Sequence, residues 1–130
     1  MEIEHLVIEA QIFMSVGDYR NAGRSYEKLI QLQPRVATHH AGLAAAMSRC
    51  PETARQAERE FLEALRLDPD NADLHFQVGL YYKAMAVRSR AISAFRTVLK
   101  LQPHHAGAQK QLGAGSSQGS ALSALKKLLD

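Results

Sequence analysis

Three short segments punctuate this chain at a nearly constant interval: Leu32-Gln33-Pro34, Leu67-Asp68-Pro69 and Leu101-Gln102-Pro103, with prolines 35 and then 34 residues apart. An aromatic residue stands eight positions before each proline, at Tyr26, Phe61 and Phe95, and an alanine four positions before each aromatic, at Ala22, Ala57 and Ala91. Proline lacks the amide hydrogen of a helix interior and biases the preceding residue away from helical angles. Each proline therefore closes a helix, and the constant period marks one structural unit copied along the chain. A unit of about 34 residues has room for two antiparallel helices. Such a pair cannot bury its apolar face alone, so consecutive pairs must stack.

The first helices of the pairs repeat as well. His40 to Met47 aligns with His75 to Tyr82, and Leu6 to Phe13 takes the same place in the first unit. Small residues recur at Ala10, Ala44 and Gly79, followed three positions later by Phe13, Met47 and Tyr82. Small side chains let paired helices approach, and the large ones fill the space between neighbours. The register predicts a core of Ala10, Phe13, Tyr19, Ala22, Tyr26, Ala44, Met47, Ala57, Phe61, Gly79, Tyr82, Ala91 and Phe95. No run of β-branched residues alternates as a strand would, so the expected class is all-α. The 130 residues fit one domain.

The small–x–x–aromatic, Ala–x–x–x–aromatic and terminal proline pattern resembles the tetratricopeptide repeat family over about residues 3 to 112. The resemblance implies a right-handed superhelical array of antiparallel helix pairs in a domain spanning 1–112. Repeat 1 runs over about 3–36, repeat 2 over 37–71, repeat 3 over 72–105, and a capping helix over 105–112. Residues 113–120 are rich in Gly and Ser and read as a flexible linker. Residues 121–130 place Leu122, Leu125 and Leu129 on one stripe of a short amphipathic helix, with Ser120 as its N-cap.

The chain departs from the family pattern in places. Leu6, His40 and His75 stand where the family often has Trp. The turn between paired helices is Gly17-Asp18-Tyr19 in repeat 1. Repeat 2 has the longer Ser48-Arg49-Cys50-Pro51-Glu52-Thr53, and repeat 3 has Ala86-Val87-Arg88. A non-glycine residue at a left-handed angle costs about 1 kcal/mol or more, so an altered turn is expected in repeat 3.

Catalytic signatures are missing from the sequence. It holds no phosphate-binding glycine loop and no nucleophile elbow. The one cysteine, Cys50, has no identified base beside it. Of the six histidines, His39-His40 and His104-His105 are adjacent pairs, and helical neighbours point about 100° apart, which disfavours chelation of one ion. No enzyme activity, metal or cofactor is expected. The net charge of +3 is small, and Lys83, Arg88, Arg90, Arg96 and Lys100 read as a solvated face, not a nucleic-acid footprint. No apolar run approaches the roughly 20 residues that span a bilayer. The N-terminus lacks the features of a signal peptide, so the expected setting is cytoplasmic.

The resemblance also implies a concave groove lined by the first helices, which in the family holds a partner's peptide. Mapped here, repeat 1 contributes Glu4, Val7, Ile8, Gln11 and Met14. Repeat 2 contributes Thr38, Ala41, Gly42, Ala45 and Arg49. Repeat 3 contributes Asp73, Phe76, Gln77, Leu80 and Lys83, with Lys110 and Gln111 beyond. Some family members clamp the carboxylate tails of heat-shock chaperones with Lys, Asn and Arg. Val7, Gln11, Gly42, Asp73 and Gln77 stand at those positions and offer no cation, so a carboxylate there would lose hydration without recompense. The expected ligand is an apolar or amphipathic segment of another protein. The expected role is an adaptor or co-chaperone-like module, with the type III secretion chaperones as the alternative resemblance. The leucine-striped tail is expected to dock on apolar surface, in its own molecule or, by self-association, in a neighbour's.

Overall fold

The structure, a computed structural model, describes residues 2–115. Among these residues seven α-helices run in order: α1 (Glu2–Ser15), α2 (Tyr19–Leu32), α3 (Ala37–Ser48), α4 (Ala57–Leu67), α5 (Ala72–Ala84), α6 (Arg88–Leu101) and α7 (Ala106–Gly115). A 3-10 turn, Ala54–Gln56, leads into α4. The described residues contain no strand, and no helix among them is long and apolar enough to cross a membrane. Helix α7 takes in Gly113 to Gly115, the first residues of the segment read as a linker. The rest of that segment and the 121–130 tail lie outside the described residues.

The helices fall into two compact units, one ending at Asn71 and the other beginning at Ala72. In the first, α1 packs on α2, α2 on α3, and α3 on α4. In the second, α5 packs on α6 and α6 on α7. The helices end as the prolines dictate. Gln33, Asp68 and Gln102, each just before a proline, leave helical angles with φ near −140°. Their amides still bond back to Leu29, Ala64 and Val98 at 2.7, 2.9 and 2.7 Å, which closes the last turn.

Burial follows the small-and-aromatic register. Ala10, Ala22, Ala44 and Ala57 have no exposed surface, and Phe61 is buried beside them in the first unit. Gly79, Tyr82, Ala91 and Phe95 are buried in the second. Phe13, Tyr19, Tyr26 and Met47, expected in the core, are only half-buried. Even so, burial pushes the Tyr26 phenol above its ordinary value. The largest side chains with almost no exposure are Leu29 and Val98, in the last turns of α2 and α6, which the register did not single out. Glycine is required where a ring lies on the backbone. A Cβ at Gly79 would sit 2.5 Å from Cε1 of Phe95, and the Tyr26 ring lies against Gly42 in the same way.

The turn of repeat 3 corrects the sequence-based expectation. In repeat 1, Gly17 takes φ +80°, its amide bonds to Met14 O at 3.2 Å, and the Asp18 amide bonds to Phe13 O at 2.8 Å. In repeat 3, Ala86 takes φ +62°, its amide bonds to Lys83 O at 3.1 Å, and the Val87 amide bonds to Tyr82 O at 2.8 Å. The turn is not altered: alanine accepts the left-handed angle. The two hydrogen bonds and the packing of α5 on α6 outweigh a strain of about 1–2 kcal/mol. Repeat 2 uses another device. The Thr53 hydroxyl donates to Met47 O at 2.7 Å and caps α3 before the 3-10 turn.

Candidate peptide-binding faces on the first helices

Helix α1 places Val7, Gln11 and Met14 on one face, with Gln11 exposed and the other two half-buried. Ile8 does not share it. Adjacent residues point about 100° apart, so Ile8 joins Ile12 and Val16 on a second stripe, 56%, 55% and 70% exposed. A cleft of about 220 Å³ lies along that stripe, between His5, Ile8, Glu9, Ile12 and Phe13. Helix α1 carries Glu2, Glu4 and Glu9 and no Lys or Arg.

Helix α3 turns Ala41 and Ala45 to one face, both half-buried, and contains no Lys, Arg, Asp or Glu. Gly42 belongs to the packing instead, because the Tyr26 ring covers it. Arg49 lies just past the helix end, exposed but held: its guanidinium donates to the Tyr19 hydroxyl at 3.1 Å and sits 5.2 Å over that ring. Thr38, like Glu4 in α1, is exposed.

In the second unit, α5 sets Asp73, Gln77 and Leu80 on one exposed face, with Leu80 38% exposed. Phe76 and Lys83 are rotated toward α7. The Phe76 ring lies 4.8 Å from the His105 ring and 5.7 Å from that of Phe95, and a Cβ at Gly107 would come within 2.8 Å of it. Phe76 is therefore a joint between α5, α6 and α7 as much as a groove residue. Lys83 donates to the Gln111 side chain at 2.7 Å, tying the end of α5 to α7. Lys110 is exposed.

Three of the six histidines, His39, His40 and His105, are committed to the fold. His40 is buried, with Nδ1 at 2.8 Å from Glu60 Oε2 and Nε2 at 2.8 Å from Pro34 O. It ties α3 to α4 and to the proline-marked loop. His39 contacts the Gln33 amide oxygen at 2.8 Å. Desolvation, and then the charge of His40, hold its imidazole below the ordinary value. His105 Nδ1 accepts the Ala108 amide at 3.0 Å and caps the first turn of α7. No group of three or more His, Cys, Asp or Glu is placed to hold a metal ion among the described residues. The Cys50 thiol is half-buried in the α3–α4 turn.

Comparison with known proteins places these features in context. The family model for the tetratricopeptide repeat matches residues 6–36. Among solved structures, MamA is similar with a TM-score of 0.80 at 24% identity, over 92% of this chain and 69% of that one. The first repeat domain of Spaghetti (RPAP3), bound to an HSP90 peptide, is similar with a TM-score of 0.81 at 20% identity, over 92% of this chain and 94% of that one. The TPR2B domain of yeast Sti1, in complex with an Hsp70 peptide, gives a TM-score of 0.78 at 19% identity, over 92% and 98%. A search of curated proteins finds no match.

Proposed function

We propose that this chain, whose fold is that of the tetratricopeptide repeat array, is a non-catalytic protein-interaction module that takes an apolar or amphipathic segment of another protein on its first helices. The observation that carries the reading is the character of those faces. Val7 and Met14 on α1, Ala41 and Ala45 on α3, and Leu80 on α5 leave apolar surface accessible next to Gln11 and Gln77. Apolar faces with thin polar edges suit an amphipathic helix or an extended apolar peptide. Small Ala41 and Ala45 leave space for a large anchor. Two of the structurally similar domains hold heat-shock peptides, which supports peptide binding as the use of this architecture.

The chemistry of these faces argues against an acidic ligand. Val7, Gln11, Gly42, Asp73 and Gln77 supply no cation, and α1 adds Glu2, Glu4 and Glu9. The nearest basic groups, Arg49 and Lys83, are occupied by Tyr19 and Gln111. Charge repulsion then selects a partner segment that is neutral or basic at its edges.

The test is titration calorimetry with the segment of the partner that co-purifies with the full chain from its source. Met14→Lys and Leu80→Lys each bring a charge onto an apolar first-helix face and are expected to weaken binding about tenfold or more, with helicity unchanged. An acidic chaperone-tail peptide is expected to give no heat. Binding equal to the parent in both variants would place the partner on another surface. Phe76→Ala is unsuited to this test, because its ring also packs on His105 and Gly107.

A further inference from the structure

Two apolar surfaces of this chain carry opposite charge at their edges, and each belongs to a different unit. On α1, Ile8, Ile12 and Val16 stand four residues apart and are each more than half exposed. That spacing keeps them on one row of the helix, about 12 Å long. The row is distinct from the face of Val7, Gln11 and Met14. Its borders are acidic. Glu4 stands one turn before Ile8 on the same row, and Glu9 lines the cleft beside it. Helix α1 has no Lys or Arg to balance them. Among the described residues, neither Glu4 nor Glu9 forms an ion pair.

The other surface is a cleft of about 430 Å³ in the second unit. Ala86, Ala91, Ile92 and Phe95 form its apolar floor, and Lys83, Arg88 and Gln111 stand at its rim. The hydrogen bond from Lys83 to Gln111 at 2.7 Å fixes that ammonium beside α7, off the face of Asp73, Gln77 and Leu80. The surroundings are basic throughout. Residues 72–115 hold Lys83, Arg88, Arg90, Arg96, Lys100 and Lys110, against Asp73 as their one acidic residue. An apolar recess ringed by one sign of charge concentrates the field above it and draws a ligand of the opposite sign.

Each surface has what the other needs. The α1 row projects bulky apolar side chains between carboxylates, and the cleft sets an apolar floor beneath cations. Joined, they remove apolar area from water and bring opposite charges together. Pairing of like with like fails on the same ground. Two α1 rows would oppose Glu4 and Glu9 to their own copies, and two clefts would oppose Lys83 and Arg88 to theirs.

We propose that this chain associates with a second copy of itself, the α1 row of one molecule seating in the α6 cleft of the next. Contact between unlike surfaces is heterologous. Each joined pair keeps one row and one cleft for further copies, so assembly closes into a ring or grows as a filament according to the rotation between copies. One helix face on one cleft is a small contact, and the association is accordingly weak, with a Kd on the order of 100 µM. It leaves the face of Val7, Gln11 and Met14 to a partner segment.

Sedimentation velocity of the full chain, from about 10 µM to about 1 mM, tests this with no other protein present. The sedimentation coefficient is expected to rise with concentration, and less steeply as salt screens the charges. Ile12→Lys sets a cation on the row at an exposed site where lysine suits a helix. Arg88→Glu reverses the rim at the first residue of α6, where an acid suits the helix N-terminus. Each variant alone is expected to associate at least about tenfold more weakly than the parent, with its circular dichroism unchanged. Each also keeps one intact surface, so an equal mixture of the two is expected to form a heterodimer and stop there. Met14→Lys, on the neighbouring face, is expected to associate as the parent does. A parent that stays monomeric throughout would overturn the proposal, as would an Ile12→Lys variant that associates like the parent. So would a mixture that remains monomeric, or a Met14→Lys variant as impaired as Ile12→Lys.

Discussion

Replacing Ala86 by glycine is expected to stabilise the protein, against the usual sense of an alanine-to-glycine change. Ala86 sits at φ +62°, where an L-residue is strained by about 1–2 kcal/mol and glycine is not. Glycine also gives the unfolded chain more freedom, which costs about 0.4–1 kcal/mol. The difference leaves a net gain of about 0.5–1 kcal/mol. Nothing else changes, because Gly17 already occupies the equivalent turn with the same pair of backbone hydrogen bonds. The mirror experiment is Gly17→Ala. A Cβ there meets nothing within 4 Å, so the change isolates backbone strain and is expected to destabilise by a similar amount. Urea unfolding followed by far-UV circular dichroism reads both. With a typical dependence of about 2 kcal/mol per molar urea, the midpoint moves by about 0.3–0.5 M, upward for Ala86→Gly and downward for Gly17→Ala. A midpoint that falls for Ala86→Gly, or stays unmoved for Gly17→Ala, would refute the account of the turn as a strained copy of a glycine turn.

Other perturbations probe the packing and the buried polar groups. Gly79→Leu forces a side chain into the Phe95 ring and is expected to cost at least about 1–3 kcal/mol; an unchanged melting temperature would place Gly79 outside the α5–α6 interface. His40→Ala strands the Glu60 carboxylate and the Pro34 carbonyl and is expected to cost about 1–3 kcal/mol, whereas a loss below about 0.5 kcal/mol in the same urea assay would show that the buried bridge contributes little. The imidazole of His39 titrates in the fold below its ordinary value of 6.5, so the unfolded chain binds the proton more readily. Its contribution is present above that pH and is lost as pH falls through the folded value. His39→Gln is expected to flatten that part of the stability–pH curve, and a curve identical to the parent's would remove His39 as its source.

The periodic pattern determined most of the secondary structure by itself. Proline recurring every 34 or 35 residues ends a helix wherever it falls, because the missing amide and the ring clash are local. The pairs close at Ala10 and Ala22 because two small side chains in register permit close approach whatever surrounds them. The 3.6-residue period likewise sorts each helix into faces, and applied strictly it separates Ile8 from Val7, Gln11 and Met14. Only the tertiary structure decided what lies on each face. Phe76 reads from the sequence as a groove anchor, yet its ring meets Gly107 and His105, because the helix after the last proline packs against that side of α5. Arg49 and Lys83 read from the sequence as groove-lining basic residues, yet Tyr19 and Gln111, 30 and 28 residues away, hold them. Leu29 and Val98 match no signature position, yet they are fully buried, since burial depends on the neighbouring helix and not on the period. Ala86 shows the same division most plainly. Local preference argues against a left-handed alanine by about 1–2 kcal/mol. The packing of α5 on α6, spread over many buried contacts, exceeds that preference and sets the angle.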